Sequence, residues 1–325
     1  MSAYRYSLSP YTGMNSRYRC PSCEDKDKTF TLYIDNDTGE SIHPDVGRCS
    51  REVKCGYHYS PKQYFQDHDT AFDTLDDDYY LTRVIPKPKA KPKPASFIPS
   101  ELLKGTLKQY ESNHLVTYLR RLFGTTNTER LIAKYLIGTA KKWEGASVFW
   151  QVDMEGKVRS GKIMLYNPET GKRVREPFSH VTWVHSELKL PDYELKQCFF
   201  GEHLLRDKTM PVAIVESEKT AIISSVYLPE FIWLAAGSIS NLNAEKCAIL
   251  KGRKVMLFPD LNGFDKWKNK AMELSRDVSL SLSDSLSLSV SDLLERNANK
   301  ADREQGYDMA DYLVKYDWRE FVVTS

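Results

Sequence analysis

The chain has 325 residues, 41% hydrophobic and 28% charged, with a net charge of only +2. That length leaves room for two or three units with cores of their own. Near-neutrality excludes a uniformly cationic nucleic-acid binder, so contact with a phosphate backbone has to come from local patches. No apolar run approaches the ~20 residues that span a bilayer, which excludes a membrane partner by this route.

The opening segment, MSAYRYSLSPYTG, lacks the apolar centre of a signal peptide, so a cytoplasmic location is expected. In that reducing compartment clustered cysteines favour metal over disulfide. RCPSC supplies a Cys-x2-Cys knuckle, Cys20 and Cys23. TFTLYIDNDTGESI alternates apolar and polar residues around an Asn-Asp-Thr-Gly turn and reads as a β-hairpin. GRCSREVKCGYH then brings in Cys49 and Cys55. Zn²⁺ favours four tetrahedral soft ligands, so two thiolate pairs joined through a hairpin read as a zinc ribbon with a structural ion. Cys49-x5-Cys55 is wider than the usual gap, whereas Cys55-x2-His58 has regular spacing; His58 is therefore an alternative fourth ligand. Arg17, Arg19, Arg48, Arg51 and Lys54 interleave with tyrosines, a combination that can hold a phosphate backbone while stacking bases. Residues 1–84 are expected to form this nucleic-acid-binding domain.

The alternating Lys-Pro run from Pro86 to Pro94 cannot form a helix and reads as an extended linker over 85–99. Residues 100–140 space their apolar side chains by three and four, as helices do, and 145–185 shift towards a period of two. NPETG (167–171) looks like a hairpin turn. Lys162, Lys172 and Arg173 in this stretch are candidates for phosphate contact, unless they simply face solvent on a hairpin. The 100–207 region is thus a helical and β-rich middle part. Cys198 and Cys247 sit in apolar contexts and are expected in the core.

From about residue 208 apolar strands alternate with helical patterns: PVAIVESEKTAIISS, FIWLAAGS, KVMLFPD. That order predicts an α/β unit, 208–325, with a doubly wound parallel sheet. The Ser/Leu run over 277–292 is expected as an exposed or irregular insertion near a helix end. Glu216 and Asp260 each terminate a predicted strand, and the carboxyl ends of parallel strands face the crevice where such sheets bind ligands. Asn262 adds a neutral oxygen two places on, and GYDMADYL adds Asp308 and Asp311. Oxygen ligands of this kind suit Mg²⁺ or Mn²⁺.

Taken in order, VESEKTA, AAGS, LFPDLNGFD and GYDMADYL resemble the Toprim domain of bacterial primases, topoisomerases and some nucleases. The resemblance implies that Glu216 is the general acid/base or metal ligand and Asp260 the first acid of an Asp-x-Asp pair. Asn262 stands at the second position and Ser217 where glycine is usual. Asp308 and Asp311 would be further metal ligands, and Asp265 a neighbour able to compensate for Asn262. A zinc ribbon ahead of a Toprim domain resembles the primase-like proteins of mobile elements, phages and plasmids. What this implies is a nucleotidyltransferase making short RNA primers from ribonucleotides on single-stranded DNA, with Glu216, Asp260 and Asn262 as the catalytic set. The sequence holds no G-x-x-x-x-G-K-[ST], so a helicase is expected as a partner in trans. The same acids also serve a Toprim nuclease, and Asn262 and Ser217 favour a third option, a non-catalytic DNA-binding replication or mobilisation accessory.

Overall fold

The computed structural model describes residues 5–52, 54–68, 94–278 and 287–321. The chain divides into two compact units, Met1–Lys93 and Pro94–Ser325. The Lys-Pro run lies outside the described residues except for Pro94. Ser96 and Ile98 already belong to the second unit: Ile98 is buried and bridges Val158, and Ser96 N donates to Glu194 O at 3.0 Å.

Alternation builds the first unit. β1 (Tyr6–Leu8), β2 (Phe30–Asp35), β3 (Gly47–Cys49) and β4 (His58–Tyr59) form one antiparallel sheet in sequence order. Gly47 is demanded by close approach, because a Cβ there would collide with the Thr31 carbonyl and the Phe30 ring. α1 (Pro61–Asp67) starts at a capping box between Ser60 and Gln63, with Pro61 in its first turn. The core is small: Cys20, Phe30, Leu32, Val46 and Cys49. So little apolar burial leaves the unit dependent on a further cross-link.

In the second unit α2 (Ser100–Thr106) leads to α3 (His114–Tyr135), which is broken at Gly124, φ 75°. The helical pattern expected to residue 140 stops at Tyr135. Leu136 turns into the left-handed region (φ 53°), and Ile137–Thr139 become β5 because they pair with a neighbouring strand. β5, β6 (Ser147–Val152), β7 (Val158–Met164) and β8 (Val181–Trp183) make an antiparallel sheet in sequence order. Thr139, Ser147, Met164 and Val181 are aligned at one end of it, so the 140–146 and 165–180 loops leave from the same end. The expected turn is present there: Asn167 Oδ1 accepts from the N–H groups of Glu169 and Thr170, each at 2.9 Å, and Tyr166 bridges Arg173. α4 (Val184–Glu187) closes this layer.

The remaining chain runs β9 (Val212–Val215), α5 (Glu218–Tyr227), β10 (Ile232–Ala235), α6 (Ala244–Cys247), β11 (Lys254–Leu257) and α7 (Phe264–Val278). It ends with β12 (Ser287–Val290), α8 (Leu293–Asn297), α9 (Lys300–Gln305) and α10 (Met309–Leu313). The four strands are parallel, in the order β10-β9-β11-β12. Ala213, Val215, Trp233 and Ala235 pack towards α5, α3 and α10, while Val212, Ile214, Ile232 and Leu234 pack towards Trp267, Ala271 and Leu274 of α7. Burial on both faces explains why these strands are continuously apolar. Cys198 and Cys247 are buried, as expected.

The Ser/Leu run departs from expectation. Ser287–Val290 is not an irregular insertion but an edge strand paired in parallel with Lys254–Leu257; residues 279–286 lie outside the described residues. Its strict alternation is the strand period, with Leu288 and Val290 turned to the apolar layer and the serines away from it. Among the described residues no helix is long and apolar enough to cross a membrane.

A buried ion pair joins the antiparallel sheet to α5. Lys162 Nζ on β7 lies 3.1 and 3.3 Å from the Glu218 carboxylate in the first turn of α5, with the side chains 13% and 2% exposed. Removing one partner strands the other charge in the interior. Lys162→Met is expected to destabilise the protein by about 3–5 kcal/mol. Adding Glu218→Gln should recover most of that loss, as read by denaturant melts of both variants.

Candidate metal centre and active-site rim

In the first unit the sulfurs of Cys20, Cys23, Cys49 and Cys55 all lie within 4.8 Å of one another. Cys20 Sγ and Cys55 Sγ are 3.7 Å apart. A tetrahedral Zn²⁺ with ~2.3 Å bonds needs sulfur–sulfur edges of about 3.8 Å, so the donor set fits zinc. Backbone N–H groups of Ser22 and Cys23 are directed at Cys20, that of Arg51 at Cys49 and that of Tyr57 at Cys55. Thr29 Oγ1 lies 3.5 Å from Cys49 Sγ. Such outer partners orient ligands and favour the thiolate. His58 is elsewhere: its Nε2 is 2.9 Å from Tyr33 Oη and its ring stacks on Tyr33. The alternative fourth ligand is therefore set aside, because β4 pairing turns His58 away while β3 delivers Cys49.

The second site lies at the carboxyl rim of the parallel sheet. After β9 the chain crosses to β10 on one side, then returns past β9 to β11 on the other. The gap between β9 and β11 is thus the point where strand order reverses, the usual crevice of such sheets. Glu216 follows β9 directly, and Asp260 lies three residues beyond the end of β11. Register is fixed by Phe258 N donating to Ile214 O at 2.8 Å, so the two acids follow the ends of neighbouring strands at that gap. Both are half-buried. The AAGS string has a job here: Gly237 N donates to Glu216 O at 2.8 Å, in a left-handed conformation (φ 86°) that suits glycine.

The other expected members have different surroundings. Asn262 is exposed and left-handed (φ 68°); its Nδ2 donates to Arg303 O at 2.9 Å and its N–H to Glu295 Oε1 at 3.1 Å. An aspartate could not donate to that carbonyl, which gives a local reason for the amide. Asp265 is exposed on the first turn of α7. Asp308 caps α10: its Oδ1 accepts from Asp311 N at 2.9 Å and its Oδ2 from the Thr220 hydroxyl at 2.7 Å. Asp311 Oδ1 is 3.6 Å from Lys219 Nζ. Burial, with Asp308 alongside, holds the Asp311 carboxyl above its ordinary range against the pull of Lys219. Among the described residues the four cysteines are the only set of three or more His, Cys, Asp or Glu ligand atoms this close together. Lys219 and Thr220 were not singled out in the sequence. They stand inside VESEKTA, but only the docking of α10 shows what they face.

The basic candidates divide as well. Lys162 is largely buried on Glu218 rather than offered to solvent. Arg48 pairs with Glu52 at 2.6 Å, Arg51 pairs with Asp25, and Arg17 donates to Ser9 O and Ser16 O. Arg19 and Lys54 in the first unit, and Lys172 and Arg173 in the 165–180 loop, are exposed. Beside that loop, Phe178 stacks on His180 at 4.3 Å, with Trp143 edge-on to His180 at 5.1 Å.

Residues 4–70 match the family model of a zinc beta-ribbon finger, and residues 113–261 match a domain of unknown function (DUF6371). A comparison with curated protein sequences finds no match. Several primase structures are similar in trace. The primase fragment of the bacteriophage T7 primase-helicase protein is 12% identical, covering 89% of this chain and 98% of that one, with a TM-score of 0.36. The RNA polymerase domain of Mycobacterium tuberculosis primase is 12% identical over 69% and 81%, TM-score 0.41. The zinc-binding and RNA polymerase domains of Aquifex aeolicus primase are 13% identical over 97% and 78%, TM-score 0.34. Superpositions this loose transfer no residue roles.

The four-cysteine cluster in the segment that matches the zinc-ribbon model fits a structural Zn²⁺, whose binding would supply folding energy. Metal analysis should find zinc lost in Cys49→Ser and retained in His58→Ala. Stripping zinc from the whole protein with a chelator should abolish protection of the β2–β3 amides from hydrogen exchange, while those of β9 stay protected.

Proposed function

We propose that the protein is a DNA primase-like nucleotidyltransferase that makes short RNA primers on single-stranded DNA, in replication of a mobile element, phage or plasmid. The supporting observation is that Glu216 and Asp260 follow the carboxyl ends of neighbouring strands at the switch point of a parallel sheet. Mg²⁺ commonly binds through one or two carboxylates plus substrate phosphates, and this pair has that composition. A bound Mg²⁺ or Mn²⁺ supplies charge neutralisation at the phosphoryl oxygens. Glu216, at the strand end, is the residue to accept the proton of an attacking 3′-hydroxyl. Asp260, with Glu216, would hold the cation, and Gly237 fixes the backbone that carries Glu216.

The remaining parts follow as proposals. The zinc ribbon (1–84) engages template, using the exposed Arg19 and Lys54. The Lys-Pro run within 85–99 tethers it, 100–207 grips the nucleic-acid backbone with Lys172 and Arg173, and 208–325 carries the chemistry. A helicase acts in trans, and the whole works in the cytoplasm.

The deciding assay supplies single-stranded DNA, labelled ribonucleotides and Mg²⁺ or Mn²⁺. Short RNA products from wild type, reduced at least 100-fold in Glu216→Ala and Asp260→Ala, are the expected result. Metal-dependent shortening of the DNA instead would mean a nuclease, and binding without either product would mean an accessory. Separately, Lys172→Ala/Arg173→Ala should weaken single-stranded DNA binding and reduce the log–log salt slope by about 1.4, since each phosphate contact contributes ~0.7. A fluorescence-anisotropy titration at several salt concentrations reads that slope.

A further inference from the structure

The family resemblance makes Asp308 and Asp311 ligands of a divalent ion, but their oxygens are already engaged inside the chain. Asp308 Oδ1 accepts from Asp311 N and Asp308 Oδ2 from the hydroxyl of Thr220, which is 1% exposed. Asp311 Oδ2 accepts from Asp308 N at 3.4 Å, completing a reciprocal capping box, and Asp311 Oδ1 faces Lys219 Nζ at 3.6 Å.

Lys219 is the unexpected member. Its side chain is only 12% exposed, and a charge so far from water persists only beside opposite charge. A divalent cation between the two acids would have to displace this ammonium or sit against it, with like charges a few ångströms apart. The residues present do not fit a metal at this pair.

The geometry points to Lys219 as a tethered cation that takes up the Asp308–Asp311 pair and clamps α10 onto α5, leaving divalent-ion binding to Glu216 and Asp260. Lys219 and Thr220 lie in the first turn of α5, immediately after the strand end that carries Glu216. The clamp therefore makes Lys219 a positioning residue for that end of the sheet. Assigning the ion to Glu216 and Asp260 rests on the primer-synthesis reading; the clamp stands apart from it.

The test uses the zinc-loaded full chain and two readouts. Mn²⁺ binding, followed by the paramagnetic resonance signal of the free ion, should be unchanged within twofold in Asp308→Asn and Asp311→Asn and weakened at least tenfold in Glu216→Gln/Asp260→Asn. A tenfold loss in either of the first two variants, still cooperatively folded, would overturn the assignment. In buffer without Mn²⁺, Lys219→Met should melt roughly 6–12 °C below wild type, and Lys219→Met/Asp311→Asn should regain most of the shift. If Lys219→Met fails to fold, the double variant must still fold. Equal melting of wild type and Lys219→Met, or no recovery in the double variant, would remove the clamp. If wild type binds no Mn²⁺, the primer-synthesis reading loses its cofactor, while the melts still decide the clamp.

Discussion

The second unit is organised around β9, four residues that are completely buried on both sides. Val212 and Ile214 belong to the layer covered by α7, Ala213 and Val215 to the layer covered by α5 and α3. A strand in that position has no polar face, so polar side chains can appear only at its ends. That constraint puts Glu216 at the rim. Because β10 and β11 flank β9 on opposite sides, it also opens the crevice beside Asp260. The depth of the core and the location of the chemistry are two consequences of one pairing order.

Charge within VESEKTA is handled by the surroundings rather than by solvent. Glu218 is matched by Lys162 from the antiparallel sheet, Lys219 by Asp311 from α10, and Thr220 by Asp308. The matches reach from α5 to two different parts of the chain, β7 and the capped end of α10, so the first turn of α5 is fixed in direction as well as in depth. Buried pairs of this kind add little net stability but penalise arrangements that separate them. A helix that fixes its first turn this way gives Glu216, just ahead of it, a defined position.

The first unit obeys a different rule. With Phe30, Leu32 and Val46 as its main buried side chains beside the cysteines, its stability depends on a cross-link. The four thiols supply one, and the backbone N–H groups directed at three of them prepare the sulfurs for a cation. Arg48 and Arg51 are partly taken up by Glu52 and Asp25, so the charge offered outward is less than a count of basic residues suggests.

Local pattern carried much of this into the sequence. The knuckle spacing of Cys20 and Cys23, the alternation in TFTLYID, the Asn167 turn and the apolar strands before Glu216 and Asp260 are short-range signals, and short-range geometry sets them. The end of α3, the pairing of Ser287–Val290 with β11 and the choice of Cys49 over His58 depend on which distant segment lies alongside, and spacing does not encode that. The same holds for the acids. The sequence by itself determined that Glu216 and Asp260 would each come just after an apolar parallel strand. Only the tertiary structure decided which acids meet an ammonium or a hydroxyl, because Lys162, Lys219 and Thr220 acquire their partners when β7 and α10 dock against α5.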